Sequence, residues 1–168
     1  VMLEPMGRNT APAVTLAALQ ALEAGSDPVL VVTPADQTVT DGAAFTASLR
    51  RAVQAAATGA IAILGVTPDR PEIGYGYIRA EGGLVAQFVE KPDLATAEKY
   101  VADGRYFWNA GMFVLRASVW MAALERFRPD IASACRAAFA VRKTDAQFVR
   151  PGKAEFAAVP SEPVDYAV

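Results

Sequence analysis

Three short segments place carboxylates, a lysine and a side-chain amide where strand-like runs give way to turns. In TPADQ (33–37), Asp36 follows the β-branched run PVLVVTP (28–34). In FVEKPD (88–93), Glu90 and Lys91 close another apolar run, and in WNAGMF (108–113) Asn109 interrupts a third. EPMGRNTAPA (4–13) adds Glu4, Arg8 and Asn9 just ahead of a helical pattern. The chain has no histidine and a single cysteine, Cys135. That removes Ser-His-Asp and Cys-His catalysis, His-ligated zinc and any internal disulfide. Chemistry must rest on carboxylates, lysine, arginine, backbone amides and an oxygen-bound Mg²⁺.

Each of these positions has a chemical and a plain reading. Asp36 lies beyond the carboxyl end of a parallel strand, the crevice where open α/β sheets take ligands. There it serves as a Mg²⁺ ligand, or as a turn Asp that caps local amides. Glu4 can accept two parallel hydrogen bonds, which suits the N1–H and 2-amino donors of guanine and nothing on adenine; otherwise it is a solvated charge. Arg8 and Asn9 precede a helix amino-terminus, which favours anions, or they merely cap it. Strand alternation sends Glu90 and Lys91 to opposite faces, Glu90 toward sugar hydroxyls and Lys91 toward a phosphate, unless both only decorate an exposed edge. Gly76, in GYGYI (74–78), marks a close approach to the backbone. Burying the Asn109 amide without a partner costs ~1–3 kcal/mol, so it holds either a ligand or a neighbouring loop.

The elements that must position these residues alternate in type. The pattern predicts helices over 11–25 and 41–59, capped by Asn9 or Thr10 and by Asp41, and strands at 28–34 and 60–66, each buried on both faces. Strand, helix, strand at these lengths is a βαβ unit, so a parallel sheet follows. A hairpin over 72–92 turns at Glu81-Gly82-Gly83. Then come a helix at 94–104, a strand at 105–116, helices at 118–127 and 130–143, and an irregular tail whose VDYAV reads as the start of a strand. The fold class is α/β: a Rossmann-like, mixed but mainly parallel sheet flanked by helices. With 168 residues, 53% hydrophobic and 20% charged, the chain is the size of one domain. A net charge of −2 gives nucleic acid or a membrane surface no electrostatic hold. No run approaches the ~20 apolar residues of a bilayer span, and no basic-then-apolar leader opens the chain, which points to the cytoplasm. The first residue is not Met, and the chain reads as an internal fragment.

EPMGRNTAPA, VVTPADQ, GYGYI, FVEKPD, WNAGMF and the terminal DYAV occur in the order and at about the spacing of mannose-1-phosphate guanylyltransferases, so the whole chain resembles that family. FVEKP is shared by many sugar-phosphate nucleotidyltransferases; RNTAPA together with WNAGMF is similar to the mannose branch alone. The resemblance implies an enzyme that makes GDP-mannose and pyrophosphate from GTP and mannose 1-phosphate with Mg²⁺. It implies Asp36 as metal ligand, Glu4 as reader of the base, and Gly76, Glu90 and Asn109 around the sugar. Lys91 meets the sugar phosphate, and Asp165 and Tyr166 belong to a signature near the site. Arg8 and Asn9 are counted with the substrate-binding residues.

The sequence departs from the family in two respects. Gln37 follows Asp36 where the family has His, and Gln cannot carry a proton. The family's Gly-rich phosphate loop and a later metal-binding acid are not in these residues, so the chain is expected to be part of a single nucleotidyltransferase domain and inactive alone. A missing first strand would leave an open sheet edge, with self-association as its consequence. Competing readings are a nucleotidyltransferase using another base, a non-catalytic sugar-phosphate binder, and an assembly domain.

Overall fold

The computed structural model describes residues 1–168, a mixed α/β fold that divides into two compact units. One comprises Val1–Val32, Val53–Ile61 and Val114–Val168; the other comprises Thr33–Ala52 and Ala62–Phe113. The elements run α1 (Thr10–Glu23), β1 (Val29–Val32), α2 (Gly42–Ala57), β2 (Ala62–Val66), β3 (Tyr77–Glu81), β4 (Leu84–Val89), α3 (Leu94–Asp103), β5 (Tyr106–Arg116), α4 (Ala117–Phe127), α5 (Pro129–Ala140), β6 (Lys143–Asp145), β7 (Phe148–Arg150), α6 (Lys153–Ala157) and α7 (Val164–Ala167). Five strands form one sheet in the order β1-β5-β3-β4, with β2 also paired to β5, and β6-β7 form a separate hairpin. The strands of the βαβ segment therefore share β5 as partner and do not pair with each other.

The second unit is built round the hairpin and β5. Gly82 and Gly83 both adopt positive φ (57° and 82°) and turn β3 into β4, as a two-residue hairpin connection requires. β3 pairs antiparallel with β4 (Tyr77↔Val89, Ile78↔Phe88) and with β5 (Tyr77↔Trp108, Ile78↔Phe107). On one face Tyr77, Trp108 and Tyr106 are buried with Ala97 of α3, and Tyr100 packs against them, its ring stacked 3.9 Å from that of Tyr106. Asp93 caps α3 by accepting the Thr96 N–H, and Gly104 ends it at φ 74°. Asp41 accepts the Ala44 N–H at 2.9 Å at the start of α2.

The first unit is mainly helical. Trp120 of α4 is fully buried with Leu16, Leu124, Ile131 and Phe156, and its indole donates to Thr15 Oγ at 3.0 Å, whose hydroxyl donates in turn to the Ala11 carbonyl at 2.7 Å. A buried ring of this size contributes most when its one donor is satisfied. Asp27 accepts the Ser118 N–H and hydroxyl at the start of α4; those bonds hold its carboxyl below the usual aspartate range.

Three expectations are corrected. β1 and β2 are not buried on both faces: β1 is half-exposed, with Val31 46% accessible, and Val66 of β2 is 48% accessible. β1 ends the sheet order, so one of its edges carries no strand. The tail is not irregular, for it contains the β6-β7 hairpin and α6. VDYAV is not a strand: Pro163 leads into α7, the Val164 N–H bonds Thr10 Oγ at 2.9 Å, and Val164 and Ala167 are buried. A Pro-set first turn followed by an Asp near the helix start favours helix over strand. At the other terminus, Val1–Leu3 pair with Val149 through two backbone bonds of 2.8 and 2.9 Å.

Candidate active site

In the second unit, four predicted residues, Gly76, Glu90, Lys91 and Asn109, are linked through backbone and side-chain contacts. The Asn109 N–H donates to the Gly76 carbonyl at 2.8 Å, fixing β5 against the start of β3. A Cβ added to Gly76 would lie 2.7 Å from Glu90 Oε2 and 3.0 Å from Phe88 Cζ. Gly76 is thus a glycine because the Glu90 carboxylate lies directly on its backbone, the close approach that the sequence pattern anticipated.

Lys91 departs from the expected alternation. β4 stops at Val89, and Lys91 turns left-handed (φ 44°) while its N–H bonds the Tyr75 carbonyl at 3.2 Å. Its Nζ then stands 3.4 Å from Glu90 Oε1. The two side chains meet instead of pointing to opposite faces, because the strand has already ended where the alternation was applied. A left-handed lysine costs about 1–2 kcal/mol, and non-glycine residues held in that region cluster at functional sites.

Asn109 explains its small neighbours. Its Oδ1 accepts the Gly111 N–H at 2.9 Å, and Gly111 sits at φ 65°. The strand kinks there, which only a glycine allows cheaply. The Ala110 carbonyl exposed by the kink accepts Gln37 Nε2 at 2.8 Å. So the turn that carries Asp36 is tied to the segment that carries Asn109. Asp36 itself is exposed, and no group of three or more Cys, His, Asp or Glu side chains gathers anywhere in the fold. A lone outward carboxylate fits an ion that keeps most of its ligands as water and phosphate oxygen, as Mg²⁺ does; it does not fit a protein-caged metal.

Glu4, Arg8, Asn9 and Asp165 belong to the first unit, where Arg8 and Asn9 are committed to the fold. Arg8 donates to the Ala157 carbonyl. Asn9, at φ 67°, caps α1 by accepting the Thr10 N–H at 2.9 Å. The Ala11 N–H goes to the Glu162 carbonyl at 3.0 Å, and Pro12 has none to give. The free amides that were to favour an anion at this helix start are therefore already spent, a correction that follows from the packing of the tail. Asp165 lies in the first turn of α7 and Tyr166 beside it is 61% accessible. Glu4 is exposed at its tip, yet partial burial raises its carboxyl above the ordinary 4.5. The buried Cys135 thiol is pushed up to about 12 by burial, with the Glu4 charge adding to the shift. This cysteine is inert.

Sequence reasoning did not find Pro34, Gly111 or the Gln37–Ala110 bond as parts of the site. Their signal is long-range: Gln37 and Ala110 are 73 residues apart.

Comparison with known proteins defines the class of the chain. The profile of the nucleotidyl transferase family matches residues 1–154, and the chain belongs to that family. It is 50% identical over 172 residues to xanthan biosynthesis protein XanB of Xanthomonas campestris pv. campestris. It is 47% identical over 180 residues to a mannose-1-phosphate guanylyltransferase of Escherichia coli. All of this chain is covered in both matches, but it spans only 37% and 38% of those two relatives. Among solved structures, one titled mannose-6-phosphate isomerase from Helicobacter pylori superposes with a TM-score of 0.90 at 30% identity, covering 99% of this chain and 66% of that one. No helix is long and apolar enough to cross a membrane.

Proposed function

We propose that this chain carries the sugar-phosphate side of a mannose-1-phosphate guanylyltransferase, which joins GTP and mannose 1-phosphate into GDP-mannose and releases pyrophosphate. The single observation that carries the reading is the cluster at Gly76: the Glu90 carboxylate against its backbone, the Lys91 amine 3.4 Å from that carboxylate, and Asn109 bonded to its carbonyl. A carboxylate at this backbone point, and the side-chain amide of the residue whose N–H bonds it, suit the vicinal hydroxyls of a hexose. An ammonium beside them suits its 1-phosphate.

In the reaction, a phosphate oxygen of mannose 1-phosphate forms a bond to the α-phosphorus of GTP, and the bond from that phosphorus to the bridging oxygen of pyrophosphate breaks in line. The attacking oxygen is already anionic near neutral pH, so no general base is needed, which suits a chain without histidine. Catalysis reduces to positioning and charge neutralisation. Lys91 lowers the repulsion between two anionic substrates, Glu90 and Asn109 orient the sugar, and Glu4 accepts the two guanine donors. Asp36 would hold Mg²⁺, which neutralises phosphate charge when bound.

The test is incubation of the full-length protein with mannose 1-phosphate and GTP, UTP, dTTP or ATP, following pyrophosphate and the nucleotide sugar. GDP-mannose as the dominant product supports the reading. A preference for UTP or dTTP replaces it with another base, and sugar-phosphate binding by calorimetry without turnover makes the chain a binder.

A further inference from the structure

We infer that Gln37 is a positioning residue for this site, an inference that rests on the nucleotidyl-transfer reading above. Asp36 sits on an exposed turn, which by itself would leave its carboxylate poorly placed. Two neighbours on that turn touch the β5 kink. Gln37 Nε2 donates to the Ala110 carbonyl at 2.8 Å in a partly buried bond. On the other side of Asp36, Pro34 Cγ lies 3.6 Å from where a Gly111 Cβ would be. Asp36 thus lies between Gln37, bonded to Ala110, and Pro34, which faces the open side of Gly111; Ala110 and Gly111 immediately follow Asn109.

The kink is itself braced. Gly111 donates its N–H to Asn109 Oδ1, and Asn109 donates its own to the Gly76 carbonyl. One continuous series of contacts therefore runs from Asp36 through Gln37, Ala110 and Asn109 to Gly76 and the Glu90 carboxylate. The Gln37–Ala110 bond is a side-chain hydrogen bond between the turn and β5. It is neutral at both ends, so salt does not screen it as it would an ion pair. The same two residues line a cavity of about 810 Å³ shared with Asp41, Ser48 and Arg51. Misplacing a reacting group by ~1 Å costs up to about 100-fold in rate, which is the scale on which the loss of one such bond acts.

The experiment compares wild-type, Gln37→Leu and Gln37→His forms of the full-length protein. Leu keeps bulk but has no donor; an imidazole N–H can donate to the same carbonyl. For Gln37→Leu the expected results are a fall in kcat of about tenfold or more, an unchanged Tm, and faster hydrogen exchange of the Gly111 amide; Gln37→His restores all three toward wild type. Wild-type kcat and wild-type Gly111 exchange in Gln37→Leu overturn the inference, as does a Tm loss in Gln37→Leu that Gln37→His shares. If the wild-type protein makes no GDP-mannose yet Gln37→Leu still loosens Gly111, the brace stands and only the substrate reading falls.

Discussion

The two compact units use their polar residues in opposite ways. In the helical unit, the predicted ligand residues serve the backbone: Arg8 holds the Ala157 carbonyl, Asn9 caps α1, and the Ala11 amide is taken by the Glu162 carbonyl. In the hairpin unit the backbone serves the side chains. Gly76 gives up its Cβ to seat Glu90, Lys91 accepts a left-handed conformation to reach Glu90, and Gly111 kinks to accommodate Asn109. The proposed reaction draws its sugar and phosphate contacts from the side chains that the hairpin unit accommodates in this way.

Substitutions should separate the two behaviours, and the largest effect belongs to the exposed aspartate. Asp36→Ala should lower kcat by ~10³-fold, with an unchanged Tm because the side chain is exposed; Mg²⁺-dependent turnover near wild type would remove its proposed role. Gly76→Ala comes next. The new methyl displaces the flexible end of Glu90, so the fold tolerates it while kcat/KM falls by about 100-fold; equal losses in stability and activity would mean that Gly76 serves packing alone. Glu4→Gln should cut discrimination between GTP and ATP by about tenfold, the ~1.4 kcal/mol of one lost hydrogen bond. Because partial burial raises the Glu4 pKa above 4.5, wild-type GTP preference should also weaken on acidification sooner than a free glutamate would titrate.

In the helical unit the readout reverses. Thr15→Val leaves the buried Trp120 indole without its acceptor and should cost about 1–3 kcal/mol of stability, with both KM values unchanged, as equilibrium unfolding and steady-state kinetics would reveal. The smallest effect is acidic. Asp27, Asp93, Asp103 and Asp130 all have lowered pKa values, held down by Ser118, Thr96, Arg105 and Arg128 respectively. Their stabilisation is complete above the unfolded aspartate value of 3.8 and is lost as pH falls through the lower folded values. Asp27→Asn should therefore flatten the decline of Tm below about pH 4, and an unaltered slope would discount its bonds to Ser118.

Local chemistry made much of this legible. The Gly82-Gly83 turn, the Asp41 cap and the Gly104 stop each act within a few residues, so the hairpin and the helices could be read directly. The exposed face of β1 could not be read from its composition, because VLVV looks the same with or without a covering neighbour. At the site, residue types pointed to Glu90 and Asn109, but alternation was applied one residue too far at Lys91. The saturated start of α1 was also hidden, since its partner, Glu162, comes from the distant tail. What escaped the sequence is what depends on residues far apart in the chain.

The left-handed lysine has an evolutionary corollary. At position 91 glycine or asparagine would relax the main chain, so a screen that rewards thermal hardiness alone would drift away from lysine and discard the ammonium group. Variants hardened in that way would survive heat without the cation that the proposed reaction sets against the sugar phosphate.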